Sequence, residues 1–439
     1  MESIKTLKKE TLSFSSKWWD DFLTVSKNMS KPSIFKDCLT KEETFFMRKC
    51  ILEIFQDLAE LRTTRHGYRV YNDKAEEFDA QKMGYLYDNP PKNNETLEEW
   101  WYRIFGEQNI GILVYQGERF NLKLSKLIAE KIEPLLIKTG IPVEGISFTL
   151  FIGNYESTPL GIHIDDPGKN VMHFHLGPGS KTIYTWEDAK TYKEMAGENS
   201  QNNKDYKKYL PYATKSTFSE GDFFTMPEDT FHIGTQEGLS IGIACWRNNR
   251  SKHLFADELL NILVRNYLKG GTDFLDRDPK LNLSPDTNPL KDASFISETL
   301  DLYEFPKEYE HLTFKEILKN IYRDLRYIIH SNAGFRTSPF PKSDEDSILD
   351  KNDVLVQETP FKILYRESND KEKLFVYARG HKLSLNNFDC ICSMIDQINI
   401  GKKIEIPQLL KELDPDWPDE VGLHILGLLY QNHGIIKIN

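Results

Sequence analysis

Val171-Met172-His173-Phe174-His175-Leu176, then Gly177-Pro178-Gly179-Ser180, then Lys181-Thr182-Ile183-Tyr184-Thr185-Trp186 is the stretch that decides the fold. Two short runs rich in β-branched and aromatic residues flank a turn-forming tetrapeptide, the pattern of strand, turn and strand. Comparable runs surround it at Ile146 to Ile152, Asp222 to Met226 and Leu239 to Trp246, each near a Gly or Pro. Short strands punctuated in this way from Gly145 to Arg247 predict a double-sheet jelly roll of the cupin type. The polar run Glu194 to Lys208 interrupts them and reads as a solvated surface loop or lid.

The flanks read as helical, which makes the whole chain α+β. Ahead of the strands, Thr40-Lys41-Glu42-Glu43 has the form of a capping box, followed by apolar residues at helical spacing from Phe45 to Leu58. Leu122 to Lys138 predicts a second helix, with Pro134 as the place for a kink. Asn109 to Tyr115 reads as a strand between them. Behind the strands, Thr313 to Asn332 carries one apolar face after a Thr313/Glu316 box, and Phe335 to Lys351 reads as a linker. The end of the chain offers strands at Phe361 to Arg366 and Leu374 to Ala378, helices at Leu385 to Asn399 and Val421 to Gln431, and a strand at Gly434 to Ile438. That order suggests a winged-helix-like module. The expected division is a catalytic domain with its helical flank over 1-250, a helical segment over 251-340 and the winged-helix-like domain over 341-439.

At 439 residues, with 39% hydrophobic and 28% charged residues, the composition is that of a folded globular protein. No apolar run reaches the ~20 residues of a membrane helix, and Met1 to Phe14 is too charged for a signal-peptide core. Five cysteines without a Cys-x-x-Cys pair suit a reducing compartment and packing roles, so a cytoplasmic location is expected. The net charge of −11 gives no reason to expect nucleic acid or an anionic membrane as partner. A cationic peptide or protein suits it better. Trp18-Trp19 and Trp100-Trp101 are expected as core or interface aromatics rather than a peptide-binding platform.

Chemistry enters at Gly161-Ile162-His163-Ile164-Asp165 and Phe231-His232-Ile233-Gly234. Side chains two apart on a strand share a face, so His163 and Asp165 are able to grip one ion together, with His232 as third ligand. Two imidazoles and one carboxylate on one side of an ion form the facial set of non-haem Fe(II) oxygenases.

Leu150 to Leu160, with its apolar strand, Gly153 turn and Thr158-Pro159-Leu160 just before the His-x-Asp, resembles the JmjC branch of the cupin-fold Fe(II)/2-oxoglutarate oxygenases. Here Gly161 and Ile162 stand between the tripeptide and His163. Glu220-Gly221-Asp222 to Pro227, then Phe231-His232, is similar to the family's Gly-Asp turn, apolar strand and distal histidine. The resemblance implies Fe(II) on His163, Asp165 and His232, with 2-oxoglutarate as cosubstrate and O2 as oxidant. It implies Lys181 as the cation for the far carboxylate, at the head of a strand where the family has a Gly-x-Lys signature, and Asn170, Thr158 and Tyr184 as further cosubstrate contacts. His173 and His175, counted from Asn170 and Lys181, are expected to turn away from the iron as core or substrate-wall residues. Tyr155, Trp186 and the 194 to 208 run are further candidates for the substrate wall.

The activity implied is hydroxylation of an amino-acid side chain in a peptide or protein. An N-methyl-lysine demethylase of the same family and a non-catalytic metal-binding cupin remain as alternatives. Barrel, helices and terminal module in this order resemble the ribosomal oxygenases, which implies a homodimer through the helical segment. Asp and Glu outnumber Lys and Arg 17 to 12 over 341-439, so that module is expected to meet protein rather than nucleic acid.

Overall fold

The computed structural model describes residues 12-268 and 309-438. Residues 269-308, the middle of the expected helical segment, lie outside the described residues, as do 1-11. The described chain forms two compact units, Met1–Asn249 with Ile328–Asn439, and Arg250–Tyr327.

In the first unit, eight strands form one hydrogen-bonded network: β1 (Ser33–Phe35), β2 (Tyr68–Asn72), β3 (Ile110–Val114), β4 (Ile146–Gly153), β5 (Lys169–Trp186), β6 (Thr214–Phe218), β7 (Phe223–Met226) and β8 (Phe231–Asn248). The path runs β1-β7-β5-β8-β4-β3-β2, with β6 also on β5. The two strands expected on either side of Gly177 to Ser180 are one continuous strand. It bends there, with register irregularities between His175 and Gly177 and between Pro178 and Ser180. A flexible tetrapeptide that predicts a turn serves instead as the corner of a long strand.

That corner makes the jelly roll. β5 and β8 pair antiparallel along their whole length, from Lys169 opposite Asn248 to Trp186 opposite Phe231. The first half of β5 has β7 on its other edge and the second half has β6. The matching half of β8 pairs with β4, and its beginning pairs with the short bridges Ser157 to Thr235 and His163 to His232. The long pair thus passes through two sheets that face each other, with Val171, Phe224, Met226 and Ala244 of one meeting Ile183 and Phe218 of the other.

Helices cover the outer face of the larger sheet. The helix Lys41–Leu61 starts in a complete capping box of Thr40 and Glu43 and buries Met47, Ile51, Ile54, Phe55 and Leu58 at helical spacing. Leu122–Thr139 runs through Pro134 without ending. Leu135 and Leu136, just past it, are buried in the main core, and that burial offsets the lost backbone bond. Trp18, Trp19, Trp100 and Trp101 all lie in this core. Met172, Phe174, Ile241 and Ile243 face it from the sheet.

The polar run Glu194 to Lys208 differs from its expectation. It belongs to the helix Ala189–Ala196 and a set of turns ending in Tyr206–Tyr212, and Tyr192, Tyr206 and Tyr209 of that segment are internal while Tyr212 is exposed. Tyr192, Tyr206 and Tyr209 bury themselves against Ile162, Trp186, Phe231 and Ile233. Lys, Asn and Glu dominate the exposed side, so composition alone reads as a loop while three spaced tyrosines do the packing.

Beyond residue 340 the chain has its own apolar centre, including Leu355, Leu374, Val376, Ile391, Ile395, Leu426 and Ile435. Three antiparallel strands, Val354–Gln357 between Ile404–Glu405 and Ile435–Ile438, sit with helices Asp389–Asn399, Ile406–Leu410 and Asp419–Gln431. A second sheet is built from Leu364–Glu367, Lys373–Ala378 and His381–Asn386. The last of these strands occupies the start of the expected helix from Leu385. The buried guanidinium of Arg379 joins this part to the barrel's helical cover, donating to Ser125 Oγ at 2.9 Å and lying over the Phe361 ring. In the other unit, Leu259, Leu263, Tyr309, Ile317 and Ile321 pack together, and Thr313 and Glu316 form the expected cap.

Among the described residues no helix is long and apolar enough to cross a membrane. The five cysteines form no disulfide, and Cys38, Cys50 and Cys245 are buried.

Candidate metal centre and its pocket

His163, Asp165 and His232 come together at one end of the barrel, where their ligand atoms all lie within 4.8 Å of one another. Each position has a local cause. His163 and His232 sit opposite each other in a two-residue antiparallel bridge, exchanging backbone hydrogen bonds of 3.0 and 2.9 Å, so their side chains share a face. Asp165 follows two residues on and points the same way. Its carboxylate oxygens lie 3.8 Å from His163 Nε2 and 3.9 Å from His232 Nε2.

The imidazoles are oriented before any ion arrives. His163 Nδ1–H donates to the Gly161 carbonyl at 2.8 Å, and His232 Nδ1–H donates to the Thr230 carbonyl at 3.1 Å. A carbonyl only accepts, so Nδ1 carries a proton on both rings and Nε2 is the atom of each ring that faces Asp165. Burial, then the neighbouring His163, pushes the His232 pKa down to about 4, which keeps its ring neutral and able to ligate. Two imidazole nitrogens and one carboxylate on one side of a point fit a divalent Fe(II). The donor set has no thiolate.

Gly161 is required by this arrangement. Its φ is +75°, and a Cβ there would lie 2.3 Å from the Asn203 carbonyl oxygen. Gly161→Ala is expected to destabilise the protein by about 2–4 kcal/mol in urea unfolding, from overpacking against backbone and an unfavourable left-handed conformation.

The cross-strand pairs of β5 and β8 define what else faces the interior. Thr185 is opposite His232, Ile183 opposite Gly234, and Lys181 opposite Gln236, so these six side-chain positions share the inner face. Lys181 is 8% exposed, has no ion pair among the described residues and lies with Nζ 5.6 Å from the Phe151 ring centre. Burial alone pushes its pKa down to about 8. Thr158 is fixed beside it: its Oγ1 accepts from Gly234 N–H at 3.1 Å, and a Cβ on Gly234 would meet Thr158 Oγ1 at 3.1 Å and Lys181 Cε at 3.4 Å. Tyr155 lies over Gly111 and Gly153, on the Phe151 side of the sheet.

Several buried polar atoms here have no hydrogen-bond partner among the described residues: Thr185 Oγ1, Gln236 Nε2, His173 Nε2 and His175 Nδ1. Such groups are costly unless something binds them. Thr185 and Gln236 were not among the expected residues, although strand parity counted from Lys181 and His232 points to both.

Other expectations need correction. Asn170 is opposite Arg247 on the outer face of the sheet, where its Oδ1 accepts from Glu228 N–H at 3.1 Å, so it is not brought to the pocket. Tyr184 and Trp186 face outward as well, into the cluster around Tyr192. His173 and His175 are buried, one of the two roles expected for them. They point into the barrel, packed on Phe218 with ring centres 5.4 and 5.2 Å away, and Lys181 is close enough to depress both pKa values further after burial.

No family model matches the chain, and no curated protein does. Among solved structures the chain is similar to YcfD, a ribosomal oxygenase from Escherichia coli. One YcfD structure aligns with a TM-score of 0.45 and 13% identity over 96% of this chain and 98% of that one. YcfD in complex with cobalt and succinic acid gives 0.44 and 16%, and in complex with cobalt and 2-oxoglutarate 0.42 and 15%, at the same coverage. This is a loose likeness, and the chemistry has to come from the side chains.

Proposed function

We propose that this chain is an Fe(II)- and 2-oxoglutarate-dependent oxygenase that hydroxylates an amino-acid side chain in a peptide or protein. The observation that carries the reading is the pairing, inside one barrel, of a two-histidine, one-carboxylate cluster with a buried lysine that has no counter-charge of its own. His163, Asp165 and His232 would hold the iron. Bound there, iron supplies activation of O2, coupled to conversion of 2-oxoglutarate to succinate and CO2 and of a substrate C–H to C–OH.

The remaining work belongs to the chain's own residues. Lys181 neutralises the far carboxylate of the oxo acid, and Thr185 and Gln236 offer it further hydrogen bonds from the same face. Thr158, pinned to Gly234, and Tyr155 set the near wall. Phe151, Val171, Ile183, Phe218 and Phe224 line the interior with apolar surface, which excludes water and strengthens the charge pairing. The exposed edge of the site is Asp165, 19% exposed, which leaves the ion position as the part of the pocket open to a substrate.

The same reading takes 341-439 as a winged-helix-like, acidic module that contacts protein, 251-340 as a dimerising segment, and the location as cytoplasmic. The unpaired cysteines and the net charge of −11 support it. The test is Fe(II)- and O2-dependent release of succinate from 2-oxoglutarate, together with a gain of one oxygen mass on an acceptor peptide. A fully metal-loaded protein that never forms succinate with any acceptor contradicts the proposal.

A further inference from the structure

The strand that carries His163 and Asp165 is held on both edges. One edge pairs with His232, the third ligand. The other pairs with residues 201 to 203 of the insertion: Ile162 and Asn203 exchange two backbone hydrogen bonds of 2.9 and 3.0 Å. Gln201 then brackets Ile164, accepting from its N–H at 3.2 Å with Oε1 and donating to its carbonyl at 3.1 Å with Nε2. Ile162 and Ile164 flank His163, and Ile164 lies between the two ligands.

The insertion is itself anchored in the barrel's outer layer. Tyr192 is fully buried against Trp186, Tyr209 and Phe231, its hydroxyl donates to the Ser200 carbonyl at 3.2 Å, and it accepts from Asn203 Nδ2 at 3.4 Å. The Gln201 side chain is exposed, where water is able to satisfy its amide. Ordering both polar atoms of an exposed glutamine on one peptide unit adds little to fold stability against its rotamer entropy. It does fix the backbone between two ligands whose spacing decides how tightly an ion is held.

We propose that Gln201 and Asn203 are positioning residues: the 189 to 213 insertion braces the free edge of the ligand segment through them, fixes the spacing of His163 and Asp165 and so sets the affinity for a divalent cation. The proposal rests on the metal-site reading above. It assigns the insertion a structural task at the ligands in addition to any part in the substrate wall.

The test uses Mn(II) alone, titrated into the full-length protein and followed by the paramagnetic resonance of free ion, beside thermal unfolding of the metal-free protein. Gln201→Met removes both bonds at similar volume and is expected to weaken Mn(II) binding roughly 10-fold, the scale of losing an outer partner of a metal ligand, with the metal-free Tm unchanged. Gln201→Glu keeps the acceptor and loses the donor, and is expected to fall between. Wild-type affinity in Gln201→Met overturns the proposal, and so does a loss of affinity matched by a loss of metal-free stability. His232→Ala serves as the reference. If wild type binds Mn(II) no better than His232→Ala, the metal site itself is wrong and the positioning role fails with it.

Discussion

Replacing Lys181 by methionine is expected to make the metal-free protein more stable and to weaken its hold on 2-oxoglutarate severely. The two effects have opposite signs because one charge causes both. In the free protein Lys181 is a buried cation without an ion pair among the described residues, and burial holds its pKa down to about 8 from an ordinary value of 10.5. At one pKa unit per ~1.4 kcal/mol, the charged form at neutral pH costs on the order of 3–4 kcal/mol, which Met, of similar volume, does not pay. With the dicarboxylate bound, the same cation gains its partner in a low-dielectric site. Its removal then leaves a buried carboxylate alone, and affinity is expected to fall at least 100-fold, about 3 kcal/mol.

The pH dependence follows in sign. A lysine whose folded pKa lies below its unfolded value carries fewer protons when folded between about pH 8 and 10.5, so stability rises with pH across that window and is lost again as pH falls through 8. Lys181→Met is expected to flatten this rise in urea unfolding of the metal-free protein. A variant less stable than wild type at pH 7, with unchanged 2-oxoglutarate affinity, contradicts the assignment.

The second large effect is at the ligands. His232→Ala takes one of three donors and also removes the side chain opposite Thr185, so divalent metal affinity is expected to drop more than 100-fold, beyond the roughly 10- to 100-fold of an outer-partner loss. Because the ion binds the folded state, Mn(II) at about 100 times its Kd is expected to stabilise wild type by about 2.7 kcal/mol and His232→Ala not at all. Asp165→Ala is expected to match it. Thermal unfolding with and without Mn(II) reads both, and an equal rise in Tm for wild type and variants contradicts the cluster as the binding site.

Strand parity decides how much of this was legible in advance. His163 and Asp165, two apart, and the His232 motif were readable because ligand residue types stand out at fixed spacing. Lys181 stood out through the Gly-x-Lys resemblance, and it is buried on the same inner face as His232, inside a continuous strand rather than at a strand head. Asn170, Tyr184 and Trp186 were placed on the wrong side because β5 is buried on both faces. Met172 and Phe174 meet the helices while Val171 and Ile183 meet the barrel interior, so apolar side chains fall on both faces and no clean hydrophobic alternation shows which face is which. With Asn170 outward, His173 and His175 fall on the inner face of the same strand, and their burial there fits the core role expected of them.

The bend at Gly177 to Ser180 was invisible for a different reason. Gly and Pro there favour a turn locally, and only the long-range pairing with β8 across the whole of β5 turns it into a corner. The insertion hid its role behind exposed lysines and asparagines, although Tyr192, Tyr206 and Tyr209 carry the contacts. The catalytic reading depends on neither detail. It depends on whether the cluster and Lys181 serve one bound oxo acid.

That is tested most directly by adding Fe(II) and then 2-oxoglutarate to the protein without oxygen and recording the visible spectrum. The account predicts a weak charge-transfer band in wild type that requires both additions, no band in His232→Ala, and a band in Lys181→Met only at far higher 2-oxoglutarate. A folded, iron-loaded wild type with no band, or a band that survives His232→Ala, would contradict it.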